Sequence, residues 1–260
     1  IMVVDVDDYS KLIRPFDLGK CLARFFIVDN EDGMSIVYDM HHMISDATSG
    51  IIVNRDLGFV LSGELEDVDL GFIYASRDSF ESQFKPDYDA AYDFFREMFA
   101  DIDDVYSLLD DIDGSVGSVS LPIHGIRDDV MSFVHDNGIT VSSFLNAVFA
   151  YTYSRFTGGD KVYYNFTENG RHEAYTEDAL GMFIRTIPIL VDCSNKSVSD
   201  FLSGVSDLVL EAMENSVYPF RLLANDFDLS NSVIFEYNYD LNDTTGVDDE
   251  IIFSDNADSV

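Results

Sequence analysis

The chain has 260 residues, 47% of them hydrophobic and 13% aromatic, enough for one large domain or two lobes around apolar cores. Its formal net charge of -34 excludes nucleic acid and anionic membranes as partners, because a field of that sign repels phosphate. No apolar run is long enough to cross a bilayer, no secretory leader pattern opens the sequence, and two distant cysteines, Cys21 and Cys193, make no disulfide framework; buried free thiols in a reducing, cytoplasmic compartment are expected.

Met2 to Val6 predicts a short edge strand. The run Pro15-Phe16-Asp17-Leu18 to Arg24 leads into two strands, Arg24 to Val28 and Met34 to Tyr38. Between them Asp29-Asn30-Glu31-Asp32-Gly33 is turn chemistry, which gives a hairpin. The second strand continues to Met40 and meets His41-His42-Met43-Ile44-Ser45-Asp46-Ala47-Thr48-Ser49, which holds two of the five histidines. A helix follows to about Leu61 and stops at Ser62-Gly63. The histidines therefore fall on a strand-to-helix turn, where side chains project into clefts and first-turn amides are free to bind. Asp39, just before them, is expected to face solvent.

A less regular stretch is expected up to Pro86. Asp87 to Ile102 then places apolar residues at 91, 94, 95, 98 and 99, one helical face. Ser107 to Ser120, rich in Asp, Ser and Gly, reads as the main boundary. Beyond it, Ile126 to Asn137 and Val141 to Phe156 predict helices ended by Gly138 and by Gly158-Gly159. Lys161 to Phe166 predicts a strand, a loop carries Gly170-Arg171, and Met182 to Val191 predicts a long buried strand. An amphipathic helix from Val198 to Glu214, a short helix from Pro219 to Ala224 and a strand from Val233 to Tyr237 complete the pattern. Helices alternating with strands imply an α/β fold.

His42 and Asp46 have helical spacing for a metal pair, but a third ligand is not evident and no metal site is expected. On an extended segment neighbouring side chains point to opposite faces, so His41 and His42 cannot both face a substrate. No nucleophile elbow, dinucleotide fingerprint or phosphate loop is present, and neither cysteine sits in a nucleophile's sequence context. Serine hydrolases, Rossmann enzymes and nucleotide-driven ligases drop out.

The run from His41 to Asp46 resembles the His-His-x-x-x-Asp-Gly core of nonribosomal peptide synthetase condensation domains, members of the chloramphenicol acetyltransferase-like acyltransferases. Further matches follow in the family's order. Pro15 to Arg24 looks like its Pro-Phe-Asp-Leu … Pro-Leu-x-Arg lead-in, with Cys21 in place of the second proline. Val162 to Arg171 is similar to the strand and Gly-Arg before the fifth motif. Leu180-Gly181-Met182-Phe183-Ile184-Arg185-Thr186 resembles that motif, usually Ile-Gly-x-Phe-Val-Asn-Thr. Asn215-Ser216-Val217-Tyr218-Pro219-Phe220 resembles the sixth, usually His-x-x-Val-Pro-Phe, and Ser232 to Tyr237 is similar to the strand near the seventh. Three residues depart from the pattern: Ala47 stands for a glycine, Arg185 for an asparagine and Asn215 for a histidine. The family's two opening motifs are not matched, and the resemblance implies that they would lie upstream of Ile1.

The resemblance implies a two-lobed α/β fold of the chloramphenicol acetyltransferase-like type, with mixed sheets and a truncated N-terminal lobe. Residues 1–114 would be the remainder of that lobe and 115–260 the C-terminal lobe, with His42 facing the cleft between them. The implied reaction joins a carrier-bound acyl or peptidyl thioester to a carrier-bound aminoacyl acceptor through an amide. His42 would take the amine proton or hold the amine in line, and His41 would be a packed support. Asp46 would be structural, its arginine partner lying either in the missing upstream part or, within this chain, at Arg171 or Arg185. Ala47, Ser49, Arg171, Gly181, Phe183, Arg185 and Thr186 would support the motif or line the substrate channel, with Arg185 binding an anionic group or blocking the way. The domain would hold no cofactor of its own. Its substrates would ride the phosphopantetheine arms of donor and acceptor carrier-protein domains, with neighbouring synthetase domains as further partners. Two alternatives stay open: a same-fold acyltransferase using a free alcohol or amine, and an inactive scaffold or interaction domain, which Ala47 and Arg185 favour.

Overall fold

The computed structural model describes residues 2–4, 12–30, 33–64, 69–100, 102, 117–122, 125–194, 196–229, 233–237 and 250–253. The chain forms two compact units, Ile1–Glu81 with Asn169–Ile184, and Ser82–Glu168 with Arg185–Val260. The lobe boundary expected between residues 114 and 115 lies outside the described residues.

In the first unit, β1 (Met2–Val4), β2 (Ala23–Asn30) and β3 (Gly33–Met40) form a mixed sheet in that order, β1 parallel to β2 and β2 antiparallel to β3. The expected hairpin is present, with Phe26 opposite Val37 and Arg24 opposite Asp39. Leu12, Phe26 and Val28 form a small buried cluster against which Val37 packs. Two helices follow, α1 (Ala47–Ser62) and α2 (Gly71–Ser82). Gly63 ends α1 in the left-handed region at φ 81°, a conformation glycine adopts without strain.

Helix α2 replaces the irregular stretch expected there. Its apolar residues Phe72, Ile73, Tyr74 and Phe80 are all exposed, so no single apolar face signals a helix in the sequence. Gly71 is required by close approach: a Cβ there would stand 2.0 Å from the Tyr175 carbonyl.

The second unit holds α3 (Pro86–Met98), β4 (Val119–Pro122), α4 (Arg127–Asn137), α5 (Val141–Thr157), β5 (Lys161–Glu168), β6 (Arg185–Asp192), α6 (Val198–Glu214), α7 (Phe220–Phe227), β7 (Ile234–Phe235) and β8 (Glu250–Phe253). Its main sheet runs β6-β5-β7, with β5 antiparallel to β6 and parallel to β7; β4 and β8 form a separate antiparallel pair. Val162 to Phe166 is buried without a break. That pattern follows from apolar cover on both faces of a central strand. Phe95 and Phe99 of the α3 region, Ala147 and Ala150 of α5, Val205 and Val209 of α6 and Leu223 of α7 share the core with Tyr164, Ile187 and Ile189. The buried Tyr164 hydroxyl lies 3.1 Å from both the Asn146 carbonyl and Asn146 Oδ1, so its polar atom is satisfied.

Three local expectations need correction. The strand expected from Met182 begins only at Arg185, because the preceding backbone bonds elsewhere, as described below. The strand expected over Val233 to Tyr237 pairs only at Ile234–Phe235. Cys21 is exposed and Cys193 half-buried, both as free thiols, so burial holds for neither in full.

Candidate functional site

The turn between β3 and α1 is organised by one carboxylate. Asp46 has extended backbone and caps α1, accepting the Ser49 amide at 2.8 Å on Oδ1. Arg171, from the 169–184 segment of the same unit, donates Nη2 to both Asp46 oxygens at 3.0 and 3.1 Å. The Phe183 amide donates to Oδ2 at 3.1 Å. Only 4% of the Arg171 side chain and 1% of the Asp46 side chain are exposed, so this ion pair is desolvated. Burial pushes the Asp46 carboxyl up, but the Ser49 and Phe183 amides, the Ser49 hydroxyl and the Arg171 charge outweigh it and hold its pKa below the ordinary value of 3.8.

The other groups around Asp46 bond to one another as well, all but Arg171 Nε, which is buried without a partner among the described residues. The fully buried Ser49 hydroxyl lies 2.9 Å from Asp46 Oδ1 and 2.9 Å from the Gly181 carbonyl, and it accepts the Gly181 amide at 3.1 Å. Arg171 Nη1 donates to the Thr176 carbonyl and, at 2.8 Å, to the Ala179 carbonyl. Its guanidinium carbon lies 4.3 Å from the Phe183 ring centre. Gly181 has no room for a side chain, since a Cβ would meet Phe72 at 2.5 Å and Phe183 at 2.8 Å. These bonds explain why β6 starts late: residues 181 and 183 spend their backbone groups on Ser49 and Asp46 instead of a ladder.

The two histidines differ in environment. Strand β3 ends at Met40; His41 is extended, and His42–Ile44 form a single 3-10 turn. The pair is therefore separated by the start of that turn and not by strand alternation, which corrects the expected geometry. The His41 ring accepts the Met43 amide on Nδ1 at 3.0 Å and meets the edge of Phe16 at 5.7 Å between ring centres. Its carbonyl accepts the Ile44 amide at 3.0 Å. His42 is exposed, and among the described residues its ring forms no hydrogen bond.

The remaining residues of the expected set fall into two groups. Ala47, at the motif's glycine position, is the first residue of α1 and exposed; no positive φ is present there, so its methyl costs nothing in backbone strain. Arg185 and Thr186 belong to the second unit, on β6. Arg185 donates to Ser216 Oγ at 2.9 Å, so of the two candidates for Asp46 the partner is Arg171. Asn215 closes the end of α6, its side chain donating to the Glu211 carbonyl at 2.8 Å.

Asp39 does not face solvent freely. It is 18% exposed and pairs with Arg24 at 3.1 Å across the hairpin. Phe16 and Arg24 served in the sequence only as markers of resemblance, yet they touch this turn. The signal available was the opposite charge of Arg24 and Asp39 at equal distance from the hairpin's centre. Among the described residues no group of three His, Cys, Asp or Glu is placed to hold a metal, and both Asp46 oxygens are already occupied. Among those residues, too, no helix is long and apolar enough to cross a membrane.

Comparison with known proteins places the chain. A family model described as "Condensation domain" matches residues 6–255. Surfactin synthase subunit 1 of Bacillus subtilis (strain 168) is 29% identical over 256 residues, covering 91% of this chain and 7% of that synthase. The first condensation domain of the calcium-dependent antibiotic synthetase, solved with a substrate analogue, superposes with a TM-score of 0.63 at 17% identity, covering 84% of this chain and 52% of that one. The X-domain from teicoplanin biosynthesis gives a TM-score of 0.69 at 20% identity, covering 89% and 57%. The chain thus shares the α/β, chloramphenicol acetyltransferase-like fold of these structures, and it spans a little over half their length and a small part of the synthase. With the family model covering nearly all of it, and the paired-histidine turn built around a buried carboxylate, the chain belongs to the condensation-domain family of nonribosomal peptide synthetases.

Proposed function

We propose that this chain carries the catalytic turn of an amide-forming condensation. The donor is an acyl or peptidyl thioester and the acceptor an aminoacyl thioester, each on the phosphopantetheine arm of a carrier-protein domain, with further synthetase domains as neighbours. The amine nitrogen of the acceptor attacks the thioester carbonyl. A C–N bond forms, the C–S bond breaks, and the carrier thiol leaves with the proton the amine gives up. His42 takes that proton or holds the amine in line while it is lost. The domain supplies no cofactor; the thioester itself carries the driving force.

The observation that supports this most is the contrast at the turn: an exposed imidazole with no hydrogen bond among the described residues, on a backbone fixed through a buried ion pair. A positioned but unengaged base suits proton transfer, which needs a lone pair free and a direction held.

The test is acceptor choice in the full parent synthetase, with the donor carrier loaded and mass detection of products. Product accumulating on the acceptor carrier, with none on an added free amine or alcohol, is expected. Acylation of the free acceptor alone would give the same-fold acyltransferase reading instead. A scaffold reading has one specific support, that the teicoplanin X-domain was also solved in complex with OxyB. It predicts no transfer to either acceptor.

A further inference from the structure

Resting on that functional reading, we infer that Phe16 and Arg24 are positioning residues for the catalytic turn, acting on His42 through His41. The segment from Ile13 to Lys20 is exposed apart from Phe16, which is half-buried. Something therefore draws that one ring inward. The Arg24 guanidinium carbon lies over it, 3.7 Å from the ring centre. The other side of the arrangement is the T-shaped contact of Phe16 with the His41 ring, at an interplanar angle of 76°.

Arg24 is itself fixed from three directions. Its Nη1 donates to the Arg14 carbonyl at 2.7 Å and to Asp39 Oδ2 at 3.1 Å, and its Nη2 donates to the Pro15 carbonyl at 2.9 Å. The fork thus ties the lead-in segment to the hairpin and clamps Phe16 in between. A lysine cannot reproduce this, because it offers one compact charge and no planar face.

His41 then transmits the placement. The Met43 amide donates to Nδ1, so the neutral ring carries its proton on Nε2. That bond and the Ile44 amide on the His41 carbonyl close the single turn holding His42. The His41 amide is anchored in turn on the Leu22 carbonyl at 2.9 Å, at the foot of β2. If the Phe16 ring is removed, His41 loses its lateral wall and the turn loses its side-chain cap. The direction of the His42 imidazole is then no longer set, while the Asp46 network on the far side of the turn stays intact.

The test is single-turnover condensation in the parent synthetase with both carriers loaded, comparing wild type, Phe16→Tyr, Phe16→Leu, Arg24→Lys and His42→Ala. Phe16→Leu and Arg24→Lys are expected to lower the rate about 10- to 100-fold, the scale of a misplaced reacting group. Hydrogen-exchange protection of α1 and residues 169–184 should match wild type. Phe16→Tyr, which keeps the ring, should run close to wild type. Wild-type rates in Phe16→Leu and Arg24→Lys beside a large loss in His42→Ala overturn the positioning role and leave the functional reading standing. A fall in rate only where exchange protection is also lost overturns it too, as a structural effect. A wild-type rate in His42→Ala removes both. If Phe16→Leu does not fold, Arg24→Lys carries the same comparison.

Discussion

The two units of this chain are held together by different physics. The second has an extended aromatic and aliphatic core, with Phe95, Phe99, Tyr164, Ile187, Ile189 and Leu223 all but removed from water. The first has a small apolar cluster of Leu12, Phe26 and Val28 and leans on polar bonds that converge on Asp46. Burial of apolar area adds up in small, independent increments. A buried ion pair does not: removing one partner strands the other charge. The unit that carries the histidines should thus fail abruptly, and the other by degrees.

The largest effect should come from removing one side of the pair. Asp46→Ala or Arg171→Ala is expected to cost about 3–5 kcal/mol. Hydrogen exchange should show the loss in α1 and residues 169–184, with β5 and β6 still protected. Equal loss in both units would erase the contrast.

A smaller effect is expected from filling a position where the packing beside the network leaves no room. Gly181→Ala drives a methyl into Phe72 and Phe183, an overpacking cost of about 1–3 kcal/mol, read as a lowered melting temperature. In the second unit, Ile189→Val should cost only about 0.5–1.5 kcal/mol, a graded response that thermal melts would register.

Acid sharpens the comparison without mutation. The folded Asp46 pKa lies below its ordinary value of 3.8, so on acidification the unfolded chain takes up this proton first. The stabilisation is complete above that ordinary value and drains as the pH falls through the folded one. Exchange protection followed down the pH scale should therefore be lost in the first unit before the main sheet of the second. The smallest effect is from salt. With 49 acidic and 15 basic side chains, added salt should screen self-repulsion and raise the melting temperature modestly in both units. No gain would show that the acidic surface carries no stability cost.

The same contrast decides what the sequence discloses. Helices α3, α5 and α6 and strands β2, β3 and β5 announce themselves because apolar burial imposes a period on the residues. Helix α2 does not, because its phenylalanines and isoleucine are left exposed and impose none. The sequence pattern starts β6 three residues too early, because Met182, Phe183 and Ile184 look like strand while the Phe183 amide serves Asp46 and the neighbouring Gly181 backbone serves Ser49. Long-range polar pairing leaves no period at all. The sequence offers Arg171 and Arg185 as equal candidates for Asp46, and only the fold chooses. Phe16 and Arg24 were visible as a motif, but their contact with His41 depends on the hairpin register and the cation over the ring.

The most direct test of the central claim is the single-turnover rate of His42→Ala in the full parent synthetase, with both carriers loaded and exchange protection of residues 169–184 recorded on the same sample. A held turn presenting His42 for proton transfer predicts a loss of about 100-fold or more, the usual scale for a general base, with protection unchanged. An unchanged rate of amide formation with the fold intact would contradict it and place the chemistry on another residue.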